Sequence, residues 1–201
     1  LVHANGQVDI ALTKASGAAI NQSSREGANP PQLVLNISFD PSATPVPTAT
    51  PVPLPTATST PMPTATPAVV TFTAAADAYV SSSAPTTNFG TATGLSAKSS
   101  GPVQRGYLRF NVQGISGTVT SAILRIYSTN TANAGFEARS LSGTWGETTV
   151  NYNTALTIGA TAVGSVNRVT SGTWNSVNVT SRVTTNGVVD LSLLGTRNTA
   201  V

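Results

Sequence analysis

The chain has no cysteine, one histidine and one methionine, and only 8% of its 201 residues are charged. Without cysteine there are no disulfides and no thiolate metal sites. The single histidine, His3, reads as a solvated surface residue rather than a general base. Ten Lys and Arg stand against seven acids, a net charge of +3, and they are scattered without a run. The high isoelectric point therefore reflects scarce acids and not a basic patch, which argues against nucleic acid as a partner. No stretch is apolar enough to span a membrane, and no window shows helical periodicity. The sequence shows no signal peptide and does not begin with Met, so the expectation is a processed or excised piece of a longer protein.

What remains is dominated by Thr, Ser, Asn, Gly and Val, residues of strands and turns. Strand-like runs between turn signals are VVTFT (69–73), DAYV (77–80), RGYLRFNV (105–112), TSAILRIYS (120–128), FEARSL (136–141), TVNYN (149–153), WNSVNVTS (174–181) and GVVDLSLL (187–194). Alternation is clearest in two of them. Leu108, Phe110 and Val112 oppose Arg105, Tyr107 and Arg109, and Ala122, Leu124 and Ile126 oppose Ile123, Arg125 and Tyr127. Many short strands with polar turns predict an all-β fold, an antiparallel, jelly-roll-like β-sandwich.

The end of the chain is also written, in variant form, at its beginning. Val2, Asn5, Gly6, Val8, Asp9 and Leu12 match Val183, Asn186, Gly187, Val189, Asp190 and Leu193 without a gap. The first copy runs on through a polar turn into PQLVLNISF (31–39), whereas Val201 is level with Ile20. Three regions follow: a tail (1–39) holding the last strands of a preceding repeat, a linker (40–67), and a module (68–201) expected to lack its last strand. Nine of the 28 linker residues are Pro, which predicts an extended polyproline-II rod of roughly 85 Å. Its Thr44, Thr48, Thr50, Thr56, Thr58, Thr60, Thr64 and Thr66 are candidate O-glycosylation sites. The tail is too short to fold alone. In 31–39, Leu33, Val34, Leu35, Ile37 and Phe39 are the candidate strand-donating residues, with Leu33, Leu35 and Ile37 sharing one face. Burying those three side chains is worth roughly 5–8 kcal/mol before ordering costs.

Several segments together resemble the DNRLRE (disaggregatase-related) domain. They are ADAYV (76–80), TNFG (87–90), RGYLRFNV (105–112), VTSAILRIYS (119–128), the Trp-x-Glu turn of GTWGETTVNYNT (143–154), WNSVNVTS (174–181) and NGVVDLSLL (186–194). The closing segment of that family, Arg-Glu-x-x-Asn-Pro-Pro before an apolar strand, is matched only at Arg25, Glu26, Asn29, Pro30, Pro31 and Leu33–Leu35. The resemblance implies a β-sandwich module of secreted and surface proteins, some of whose members are classed as carbohydrate-binding modules.

Catalysis is hard to build here. No pair among Asp9, Glu26, Asp40, Asp77, Glu137, Glu147 and Asp190 stands in a motif for acid–base work on a sugar bond, and no phosphate loop, nucleophile elbow or metal-ligand spacing is present. The chain reads as no enzyme and without a cofactor. Glu147 and Asp77 each suit a sugar hydroxyl or calcium, but calcium needs several converging oxygens, and turn amides or an Arg partner explain either residue as well. Trp145, Trp174, Tyr107, Tyr127 and Tyr152 are aromatic platform candidates. Of these Trp145, Tyr107 and Tyr127, with Arg109 and Arg125 as donors, form the candidate glycan site, suited above all to an acidic sugar. A core Trp pair and a solvated sheet face account for the same residues. Sequons at Asn21, Asn36 and Asn178 matter only where the glycosylation machinery exists.

Two functions follow. In the first, the chain is an extracellular structural module, a subunit or period of a surface fibre, joined to copies of itself or to neighbouring repeats by strand donation. In the second it is a carbohydrate-binding module on a stalk, with polysaccharide as its partner.

Overall fold

The computed structural model describes residues 6–13, 19–39, 67–183 and 189–192. The linker, with all eight threonine candidates, and His3 lie outside the described residues. In chain order the strands are β1 (Gly6–Thr13), β2 (Ile20–Ser23), β3 (Gln32–Ser38), β4 (Ala68–Thr73), β5 (Ala76–Ser81), β6 (Gly94–Ala97), β7 (Gln104–Val112), β8 (Thr118–Ser128), β9 (Phe136–Ser142), β10 (Thr157–Val166), β11 (Thr173–Asn178) and β12 (Val189–Ser192). A short 3-10 turn, Thr180–Arg182, is the only helix among the described residues.

The strands form two six-stranded sheets packed as an antiparallel sandwich. Sheet A runs β10–β9–β1–β7–β5, with β12 beside β1. Sheet B runs β4–β3–β8–β2–β6, with β11 on the other side of β8. The alternation read from 105–112 and 120–128 sets the core. Leu108, Phe110 and Val112 of β7 meet Ala122, Leu124 and Ile126 of β8, all fully buried, with Phe136 and Ala138 of β9 beside them. The outward residues of β7 and β8 are therefore Arg105, Tyr107 and Arg109 on one sheet, and Ile123, Arg125 and Tyr127 on the other.

The tail is part of the sandwich. β3 lies between β4 and β8, antiparallel to both, and Leu33, Leu35 and Ile37 join the core at 0, 0 and 2% exposure. Val34 instead points to the outer face, half-buried, and Phe39 lies beyond the strand end at 36% exposure, so two of the five strand-donating candidates do not enter the core. The Pro31 carbonyl accepts the Ala74 N–H at 3.0 Å, anchoring the extended entry that Pro30-Pro31 dictates. Strand donation places this segment in another copy or a neighbouring repeat; in this structure it is a strand of its own chain. β1 likewise fills a position in sheet A, between β7 and β9.

One expected strand is absent. TVNYN (149–153) lies in a looped segment, 143–156, because its side chains bond local backbone instead of a ladder. Asn151 Oδ1 accepts the Thr154 N–H at 3.1 Å, and Thr154 Oγ1 accepts the Asn151 N–H at 3.0 Å. Conversely β10 was missed, since its Gly- and Ala-rich, bulged sequence carries little alternation.

Candidate functional site

The glycan candidates divide between two faces. On the outer side of sheet A, the segment 143–156 folds over β5 and β7. Tyr107, fully buried, and Trp145, 5% exposed, pack there with Ala76, Ala78, Val80, Leu141 and Val150 as a second small core. Their rings lie 5.9 Å apart, tilted by 51°. The Arg109 guanidinium stacks 4.6 Å from the Trp145 ring and donates to the Trp145 carbonyl at 3.1 Å. Arg105 sits 5.6 Å from the Tyr152 ring. Burial pushes the Tyr107 hydroxyl up in pKa, against the opposing pull of Arg105. Neither ring presents a face to solvent, so Trp145 and Tyr107 belong to the core and not to a platform. The open space here is a cleft of about 460 Å³ at the rim, lined by Thr144, Trp145, Gly146, Thr149, Val150 and Thr154.

Among the described residues nothing covers the outer side of sheet B. Tyr127 of β8 and Trp174 of β11 are register partners, and their rings meet edge-to-face at 5.5 Å and 70°. Arg125 stacks 4.8 Å from the Trp174 ring, and its Nη1 donates to Gln32 Oε1 at 3.1 Å. All four residues are half-buried. Ser176, Arg125, Gln32 and Thr73 form one cross-strand row over β11, β8, β3 and β4, so the tail contributes Gln32 to this face. Sequence reasoning weighed Trp174 but did not carry it into the site. The signal was present, since Val177 and Val179 face the core and Trp174, Ser176 and Asn178 must alternate with them. Gln32 carried no signal at all, because only the insertion of β3 brings it beside Arg125.

The third constellation is ionic and ties the tail to the cover of sheet A. Arg25, in the turn after β2, forms a two-pronged pair with Glu147: Nε to Oε1 at 3.2 Å and Nη2 to Oε2 at 2.7 Å. It also pairs with Glu26 at 2.8 Å. The Arg25 backbone N–H donates to Asp77 Oδ2 at 2.5 Å, and the Asp77 N–H donates to Glu147 Oε1 at 2.9 Å. Asn88 Nδ2 holds the Glu147 and Val150 carbonyls at 2.8 and 2.7 Å. Gly90, in the same TNFG turn, has no room for a Cβ, which would strike the Glu147 carbonyl. Asp77 is 1% exposed. Burial raises its pKa to about 7, with Glu26 and Glu147 pushing the same way and Arg25 opposing them.

Carboxylate oxygens of Glu26, Asp77 and Glu147 lie within 4.8 Å of one another, a convergence that the sequence did not reveal. These are the residues among those described that could hold a cation. In the structure the positive charge at the cluster is the Arg25 guanidinium, so both single-residue readings of Glu147, a turn-amide acceptor and an Arg partner, apply. A smaller cleft of about 300 Å³, lined by Asn21, Tyr79, Ser96 and Gln104 among others, opens between the tail and the edge of sheet A. Tyr79 stacks there on Phe89 at 4.3 Å. No described helix is long and apolar enough to cross a membrane.

A family model for carbohydrate-binding module family 96 matches residues 68–200. Searches of curated proteins and of solved structures returned no match. The match spans most of the chain, and the chain belongs to carbohydrate-binding module family 96.

Proposed function

We propose that the chain is a non-catalytic extracellular module that binds polysaccharide on the outer face of sheet B. The observation that carries this reading is the half-exposed Trp174–Tyr127 pair with Arg125 stacked on it. Aromatic faces take up the apolar faces of sugar rings, and a guanidinium offers five N–H donors in a plane, a geometry suited to uronate carboxylates. Gln32, Ser176 and Thr73 add neutral hydrogen-bonding groups along the same row. The test is affinity electrophoresis of the full chain through gels containing either a neutral or a uronic-acid polysaccharide. The wild type is retarded, more strongly by the acidic polymer, and Trp174→Ala or Tyr127→Ala abolishes retardation without unfolding the chain. Unchanged retardation in both variants refutes this assignment of the face.

A second reading, compatible with the first, is a surface fibre or array joined by strand donation between a tail (1–39), a linker (40–67) and modules such as 68–201. It is favoured by one feature of connectivity. Ile37 and Ala68 are register partners on adjacent antiparallel strands, yet the sequence between them includes nine prolines. A proline-rich stretch is extended and stiff, a poor element for returning the chain to its starting point. Passing β3 to another copy removes that requirement. Deleting residues 1–39 then abolishes concentration-dependent assemblies, as read by light scattering; assemblies that persist without the tail exclude donation. The linker threonines are proposed as O-glycosylation sites of the stalk, to be read from the intact mass of the secreted chain.

A further inference from the structure

We infer that the groove between β7 and β9 is a strand-exchange site with two competing occupants in one chain: β1, and the repeat of its sequence that contains β12. In the structure β1 fills the groove, antiparallel to both walls. Gly6–Thr13 pair with Val112–Arg105 of β7, and Ile10–Thr13 pair with Ser140–Glu137 of β9. β12 stands beside β1 and runs parallel to it, the one parallel pairing among the described strands.

The register of that pairing is the informative part. Val8 lies opposite Val189 and Asp9 opposite Asp190. These are the same pairs that the sequence repeat equates, as it does Gly6 with Gly187 and Leu12 with Leu193. β12 therefore already has the direction that β7 and β9 demand, and it stands at the level where β1 stands. To take the groove it needs no reversal and no slide along the strand, only a sideways step. After that step Asp190 is the register partner of Arg109, as Asp9 is now, and Leu191 replaces Ile10 opposite Leu108.

Register in a strand paired on both edges is set by its alternating apolar pattern, and Val8, Ile10 and Leu12 alternate as Val189, Leu191 and Leu193 do, so both sequences suit the same walls. β5 holds one edge of β7, so the other edge can be paired by one strand at a time. Entry of the second copy expels β1, which then carries unpaired backbone donors and acceptors along both edges. The surface that fits such a strand is the β7–β9 groove of a second copy of this chain, whose own β12 stands aside as it does here.

Proline substitution in the full chain tests this directly, because a proline in a strand bonded on both sides removes a ladder hydrogen bond whichever way it faces. Ile10→Pro disables the first occupant and Leu191→Pro the second. Each single variant should keep a cooperative thermal transition within a few degrees of the wild type, since the other copy fills the groove, and the double variant should show none. Exchange is wrong if either single variant loses the transition by itself, or if the double variant keeps it. For the second-copy partner, a tagged double variant is refolded together with untagged wild type. Recovery of a mixed, folded complex is expected, because each wild-type chain brings a spare strand. Failure to recover one confines exchange to a single chain. That arm alone rests on strand donation between copies, and the single variants judge the groove independently of it.

Discussion

On the outer side of sheet A, Arg109 stacks over Trp145 with Tyr107 alongside; on the outer side of sheet B, Arg125 stacks over Trp174 with Tyr127 alongside. In each trio the alternation of a long strand, β7 or β8, sets the Arg and the Tyr on one face, and the Trp comes from another segment, 143–156 or β11. They differ in what lies above them. Trp145 belongs to segment 143–156, which closes over Tyr107 and Arg109 and buries its own ring to 5% exposure, while nothing in the described chain covers the second trio. An Arg–Trp–Tyr constellation is thus a core element or a binding face according to its cover, and the residues alone do not decide between them.

Substitution at the two tryptophans breaks the comparison most sharply. Trp145→Ala removes the centre of a small core and should cost about 3–5 kcal/mol of stability, read by urea denaturation. A loss below about 1 kcal/mol would place Trp145 on the surface and return it to the candidate glycan site.

Stability should also depend on pH, through the buried carboxyl where the tail meets segment 143–156. Asp77 has its pKa raised from 3.8 to about 7 by burial. The folded chain therefore holds a proton between those values that the unfolded chain has released. Stability is full below about pH 4, falls as pH rises toward 7, and is flat beyond. The span corresponds to at most about 4 kcal/mol. Asp77→Asn keeps an acceptor for the Arg25 N–H and should flatten that slope in a series of unfolding curves from pH 4 to 8. A slope that survives the substitution assigns it to another group. Glu147→Ala is expected to act more mildly. It removes the acceptor of the Asp77 N–H and the partner of Arg25, for a loss of about 1–3 kcal/mol. Faster proteolysis within 143–156 should accompany it, because Glu147 is where the tail grips the cover.

The sandwich itself was legible because its longest strands alternate cleanly. Leu108, Phe110 and Val112, and Ala122, Leu124 and Ile126, lie inward as their spacing requires. The apolar face of the tail strand was legible for the same reason, at Leu33, Leu35 and Ile37. The cover was not. Val150 and Tyr152 alternate like strand residues, yet Asn151 and Thr154 satisfy each other's backbone groups and turn the segment aside. Nor was the ionic cluster legible, because Arg25 and Glu147 meet across 122 residues and no spacing rule spans that distance. Side-chain direction within a strand is local and can be read from sequence; which loop lies on which face is set by topology.

The open face offers the smallest effect on stability and the clearest on function. Trp174 is half-buried and contributes one edge-to-face contact and one cation–π contact, worth about 1 kcal/mol together at such a site. Trp174→Ala should therefore shift the urea midpoint slightly, and Trp174→Phe less still. If sheet B is the binding face, the alanine variant loses polysaccharide retention despite its near-normal stability, and the phenylalanine variant keeps part of it. Trp145→Phe should show the opposite pattern, a measurable loss of stability with retention unchanged in the fraction that remains folded. Were the two tryptophans to behave alike in both measurements, the cover over sheet A would not be what separates them.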